Sequence, residues 1–120
     1  MSLHHVSLEI PPGDVERSVE FWELVGFTAL TPPPEIAPFV SWLERDGHQI
    51  HLIHTGGAVV PTLGHPAVVA SDFAPTVQRL RRAGFTVEDA QELWGAPRAF
   101  ALAPGGHRVE LMAAPPPANR

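Results

Sequence analysis

The chain has 120 residues, 44% of them apolar and 18% charged, a net charge of −5 and no cysteine. That is one domain in length, enough to bury a core and too apolar for disorder; the acidic balance without a basic cluster argues against a nucleic-acid partner. The missing thiols exclude disulfides and Cys-ligated zinc, in keeping with a reducing, cytoplasmic setting, and no apolar run approaches the ~20 residues of a membrane span.

Met1-Ser2-Leu3-His4-His5 lacks the charged flank and apolar run of a signal peptide. Leu3 to Ile10 alternates, which predicts a strand with Val6, Leu8 and Ile10 on a packing face and His5, Ser7 and Glu9 opposite. The same alternation puts His4 on the packing face. Asp14 can cap a helix running to about Val25, with Val15, Val19, Phe21, Trp22 and Val25 as its apolar stripe and Gly26 as its stop. Phe27 to Leu30 reads as a short strand, and the four prolines between Thr31 and Pro38 make an irregular loop. Phe39 to Arg45 and Gln49 to His54 form a hairpin about Asp46-Gly47, with Trp42 assigned to the core. The first half is therefore β-α-β-β-β.

Gly56 to Gly64 connects to a second series: a strand from His65 to Ala70, a helix from Asp72 to Ala83 and a strand from Gly84 to Val87. Glu88 to Pro97 then reads as a long loop carrying Trp94. Arg98 to Leu102 and Arg108 to Met112 close the series around Pro104-Gly105-Gly106, and the last eight residues read as a loose tail.

The two series are copies. Gly105-Gly106-His107-Arg108-Val109-Glu110-Leu111 aligns with Asp46-Gly47-His48-Gln49-Ile50-His51-Leu52 at an offset of 59, and Asp72 through Phe85 aligns with Asp14 through Phe27 at 58. The expectation is one domain over residues 1–120, built from repeats at about 3–55 and 64–113. Its fold class is α+β, two βαβββ units whose mixed sheet curves around a crevice. With the apolar faces of the first and last strands covering the helices, His5, His51, His65 and Glu110 occupy four equivalent positions on the opposite face. Three imidazoles and a carboxylate suit a divalent first-row metal, with positions left for water or a chelating substrate. One such histidine alone is more often structural; the match between copies favours a shared metal site. His4, His48, His54 and His107 are taken as non-ligands. Trp94 and Arg98 are candidates for substrate contact, Trp94 alternatively a loop anchor and Arg98 a surface residue.

From His5-Val6-Ser7-Leu8 to Val109-Glu110-Leu111 the chain resembles the vicinal oxygen chelate superfamily, which includes glyoxalase I, methylmalonyl-CoA epimerase, fosfomycin-modifying transferases, extradiol dioxygenases and bleomycin-binding proteins. The resemblance implies paired βαβββ units with ligands on the first and last strand of each, at His5, His51, His65 and Glu110. It implies a homodimer, and the mixed nitrogen and oxygen donor set is compatible with Ni, Co, Mn, Fe or Zn as cofactor. Three positions depart from the family's pattern. His51 stands where glyoxalase I offers Glu, leaving Glu110 as the base candidate. Glu9 stands where glutathione-using members carry a cation, which argues against glutathione. Ala103-Pro104-Gly105-Gly106 replaces the usual Asp-Pro-Asp-Gly turn.

The leading expectation is a metal-dependent lyase or isomerase for a small molecule with two adjacent oxygens, with Glu110 catalytic and Ser7, Glu9, Trp94 and Arg98 near the substrate. The alternatives are a drug- or antibiotic-binding resistance protein without catalysis, and an Fe(II) extradiol-type dioxygenase using a His-His-Glu triad.

Overall fold

A computed structural model describes residues 1–118. The first unit runs β1 (His5–Ile10), a 3-10 turn, α1 (Val15–Val25), β2 (Thr28–Leu30), β3 (Val40–Arg45) and β4 (His48–His54). The second runs β5 (Ala67–Val69), α2 (Phe73–Arg82), β6 (Val87–Ala90), β7 (Arg98–Leu102), a 3-10 turn and β8 (Arg108–Met112). The expected pair of βαβββ units is present. Its strands form two four-stranded mixed sheets, ordered β1-β4-β3-β2 and β5-β8-β7-β6.

In each sheet the first strand pairs parallel with the last, and a helix supplies the crossover that parallel pairing requires. Helix α1 buries Ser18, Phe21, Trp22 and Val25, an i, i+3, i+4, i+7 stripe; α2 buries Thr76, Val77 and Leu80. These stripes and the helix-facing side of both sheets make one hydrophobic cluster that spans the units. Phe21 lies edge-on to both Trp22 and Phe85, with ring centroids 5.3 Å apart in each case.

The helices also hold each other's ends. Arg17 of α1 donates to the carbonyl of Ala83 just past α2, its guanidinium 3.8 Å above the Phe85 ring. Arg79 of α2 reaches back to the Leu24 carbonyl at 3.3 Å. A cation at a helix C-terminus meets the negative end of the dipole and the carbonyls that lack helical partners.

The hairpin predicted at Asp46-Gly47 is there, both residues at positive φ (50° and 81°) as a type I′ turn requires. Its counterpart in the second unit is braced against the first. At Gly105 (φ 86°) a Cβ would lie 3.4 Å from Pro11 and 3.5 Å from Ile10. Next to it His107, 3% exposed, donates through Nε2 to the Glu9 carbonyl at 2.6 Å.

Three boundaries moved. The expected strand at Gly84 to Val87 begins only at Val87 and continues to Ala90, inside the segment read as a loop. The cause is the helix exit: Gly84 sits at φ 89° and the Phe85 N–H bonds back to the Leu80 carbonyl, so neither residue is free to pair. The strand expected from His65 is reduced to Ala67–Val69, because Pro66 has no N–H to donate. In the tail, Ala113 and Ala114 are tied to Pro97 and Trp94 by hydrogen bonds, 115–118 have neither helix nor strand, and 119–120 lie outside the described residues.

Because Phe21 joins both aromatic clusters, Phe21→Ala is expected to cost about 3–5 kcal/mol. Urea unfolding followed by both tryptophan fluorescence and circular dichroism checks this, and the two probes should lose signal together if the units share their core.

Candidate metal centre

On β1 and β4 the parallel register sets Ser7 beside His51 and His5 beside Gln49, so all four side chains share the face turned away from α1. The His5 and His51 rings stack, centroids 3.9 Å apart and planes 13° from parallel. On the other flank Trp42 of β3, directly opposite His51, stacks on it at 4.4 Å and 12°. Trp42 is thus half-buried on the open face and not in the core. Its apolar character suggested the core; its pairing with His51 puts it on the ligand side. The His51 Nε2–H donates to Gln49 Oε1 at 2.7 Å. Burial, and then the charges that His5 and His4 would carry, hold the His51 pKa below its ordinary 6.5.

His4 also departs from expectation. It precedes the first paired residue of β1, so strand alternation does not govern it, and its ring turns to the open face. His4 Nδ1 lies 2.9 Å from His5 Nδ1, and the ring stands edge-on to His51 at 6.2 Å. Among the described residues, His4, His5 and His51 are the group whose ligand atoms all fall within 4.8 Å of one another.

The second unit repeats the arrangement with a carboxylate. Glu110 of β8 pairs with Ala67 of β5 and Phe100 of β7. His65, just ahead of β5, sets its Nδ1 2.8 Å from the Leu63 carbonyl and turns its Nε2 to Glu110. That Nε2 is 3.0 Å from Glu110 Oε1. Glu110 Oε2 accepts from Arg98 Nε at 3.1 Å, and Arg98 Nη1 donates to the Gln91 carbonyl at 2.7 Å. Burial would raise the Glu110 pKa, but the bonds from His65 and Arg98 together hold it below its ordinary 4.5. Trp94 lies under the Arg98 guanidinium at 5.6 Å and donates to the Ala114 carbonyl at 3.0 Å, which makes it a loop anchor.

The four expected ligands therefore meet as two pairs, His5 with His51 and His65 with Glu110. His5 and His65 line one cleft of about 600 Å³ between the unit edges. Ser7 is exposed beside His51, while Glu9 accepts from the Val59 N–H at 3.3 Å and so tethers the connecting segment. His54 bonds to Ser41 Oγ at 2.8 Å, and His48 is exposed at the start of β4. Arg98 had a signal in the sequence, since it lies two residues from Phe100, the residue opposite Glu110. Its commitment to Glu110 did not.

The sequence profile of the Glyoxalase/Bleomycin resistance protein/Dioxygenase superfamily matches residues 2–111. No curated protein sequence matches the chain. Among solved structures, it is similar to a Bacillus anthracis protein assigned to the glyoxalase family, at 23% identity over 93% of each chain with a TM-score of 0.81. It is also similar to a glyoxalase/dioxygenase from Nostoc punctiforme, at 17% identity over 95% and 91% of the two chains with a TM-score of 0.76. The bleomycin resistance determinant encoded on transposon Tn5 aligns at 15% identity over 89% and 94%, with a TM-score of 0.64. At these identities the likeness is one of fold.

A carboxylate whose pKa is lowered on folding stabilises the protein above its unfolded value, and that contribution is lost as pH falls through the folded value. Glu110→Gln is accordingly expected to lower stability by about 1–3 kcal/mol at pH 7. The deficit should shrink as pH drops below 4.5, which chemical denaturation at a series of pH values would register.

Proposed function

Because the chain belongs to the Glyoxalase/Bleomycin resistance protein/Dioxygenase superfamily, we propose that it is a metal-dependent lyase or isomerase acting on a small molecule with vicinal oxygens. The ligands in this reading are His5, His51, His65 and Glu110. The observation that carries it is the pairing of the donors, His5 stacked on His51 at 3.9 Å and His65 3.0 Å from Glu110. Metal ligands must be deprotonated, and the chain holds His51 toward its neutral form and Glu110 toward its anion. His51 is also disposed as ligation requires: its Nε2–H donates to Gln49 Oε1, which fixes the tautomer and leaves Nδ1 its lone pair.

Bound there, Ni, Co, Mn, Fe or Zn would polarise the two substrate oxygens and stabilise developing enolate or alkoxide charge as a Lewis acid. The chain's own residues do the rest. Trp42 walls the face beside His51 and excludes water from it. Arg98 fixes Glu110 through Oε2, so the carboxylate turns Oε1 toward His65. Oε1 is then the acceptor for a substrate proton, and Ser7, exposed beside His51, is placed to bond a substrate oxygen. The doubly held Glu110 is a weak base, which suits a substrate whose proton is already acidified next to a carbonyl. Glu9, standing where glutathione-using members carry a cation, disfavours glutathione.

A homodimer fits the same reading. Ile53, Val69 and Leu102 leave apolar surface on the open faces, at 38%, 43% and 47% exposure, where a second copy would cover it. No helix among the described residues is long and apolar enough to cross a membrane, and small-molecule chemistry in the cytoplasm suits a chain without cysteine.

Protein incubated with Ni, Co, Mn, Fe or Zn and then dialysed is expected to carry about one metal ion per chain by elemental analysis. His51→Ala should lose it and Glu110→Ala should lose Mn, each along with turnover of vicinal dicarbonyls or 2-hydroxy acids. Protein that binds a drug-like aromatic compound yet takes up none of the five metals would point instead to a sequestering protein, and oxygen uptake with catechols to a dioxygenase.

A further inference from the structure

The two halves of the site differ in a way the repeat does not require. In the second unit both Glu110 oxygens and both His65 nitrogens already have protein partners, so an ion entering there must displace the bond between them. In the first unit three imidazoles converge with no carboxylate and no arginine among them, and the bond an ion must displace is the neutral one between His4 Nδ1 and His5 Nδ1. We propose that the first unit holds a metal on its own, through His4, His5 and His51, and that His4 is a ligand. The inference shares His5 and His51 with the four-ligand reading and rests on its premise that this face takes a metal, but it assigns capture of the ion to one unit.

Three observations carry it. Two nitrogens that bind one ion at ~2.1 Å and at right angles stand about 3.0 Å apart, and His4 Nδ1 and His5 Nδ1 stand 2.9 Å apart. All three ligand atoms lie within 4.8 Å of one another, the span of a single coordination sphere with modest adjustment. The third ligand is already braced. His51 is packed against Trp42 and its Nε2–H is fixed by Gln49, the outer-shell hydrogen bond that ligating histidines make.

The stack of His5 on His51 shows what must move. Rings 13° from parallel and 3.9 Å apart cannot aim in-plane lone pairs at one ion, so one of them has to turn. His51 is buried and held on both flanks, whereas His5 and His4 are exposed. The ion is therefore met by a fixed His51 and two mobile imidazoles at the start of β1. An all-nitrogen set favours Ni, Cu, Co or Zn; Mn prefers oxygen donors and would need Glu110.

The test uses full-length protein with His65→Ala and Glu110→Gln combined, which removes both ligands of the second unit. Equilibrium dialysis against Ni or Co with elemental analysis gives affinity and stoichiometry, Co visible absorption reports the coordination, and circular dichroism confirms the fold. The double variant is expected to keep about one Ni or Co per chain and to lose Mn. Adding His4→Ala should then weaken binding by more than the roughly 10–100-fold that loss of an outer-shell partner costs. Because removing the buried ion pair threatens the fold, His4→Ala in the otherwise native chain is measured alongside and should weaken Ni binding. A double variant that folds but binds no Ni, or binding indifferent to His4→Ala in both backgrounds, would overturn the inference and leave the four-ligand reading standing. Equal Ni, Co and Mn affinity in wild type and double variant would do the reverse for the four-ligand set. Absence of metal from the native chain overturns both.

Discussion

The parallel pairing of the first strand with the last is the constraint on which the rest of each unit depends. It makes a helical crossover obligatory, and it commits one side of both strands to covering that helix. What is left is an open face on which residues far apart in sequence become neighbours: His5 meets His51 and His65 meets Glu110 only because β1 lies on β4 and His65 leads into β5, which lies on β8. The donors need no special backbone. They follow from a register in which a one-residue slip would turn every one of them into the core.

That logic explains what could be read in advance. The period-2 pattern of Val6, Leu8 and Ile10, the helical stripe of Phe21, Trp22 and Val25, and the Asp46-Gly47 turn are local signals, and the internal repeat supplied the pairing between distant strands. Where reading failed, the deciding interaction was not local. His4 was assigned by an alternation that holds only inside a paired strand. Trp42 was placed by hydrophobicity when its partner across the hairpin decided its face. Arg98 belongs to Glu110 because β7 and β8 are adjacent, and the start of β6 was displaced by the helix exit at Gly84. The paired half-sheets follow from the repeat, and each is observed as a four-stranded mixed sheet of its own.

The repeat has also diverged in chemistry while keeping its geometry. At one pair of equivalent positions stand His51 and Glu110; beside them stand Trp42 and Phe100, Gln49 and Arg108. One face became nitrogen-rich and walled by an indole, the other anionic and buttressed by a guanidinium. A soft, polarisable half and a hard, charged half can divide the work of holding an ion and handling a proton, which two identical halves could not.

The reciprocal capping of α1 and α2 has a consequence for the history of such a chain. Arg17 completes the end of the helix in the other copy, and Arg79 does the same in return. Once each duplicate had come to finish its sibling, neither could be deleted, shuffled or drift alone without exposing carbonyls in the one that stayed. The open faces carried no such mutual debt. The ligand positions can therefore differ from copy to copy, while the scaffold beneath them behaves as a single indivisible part.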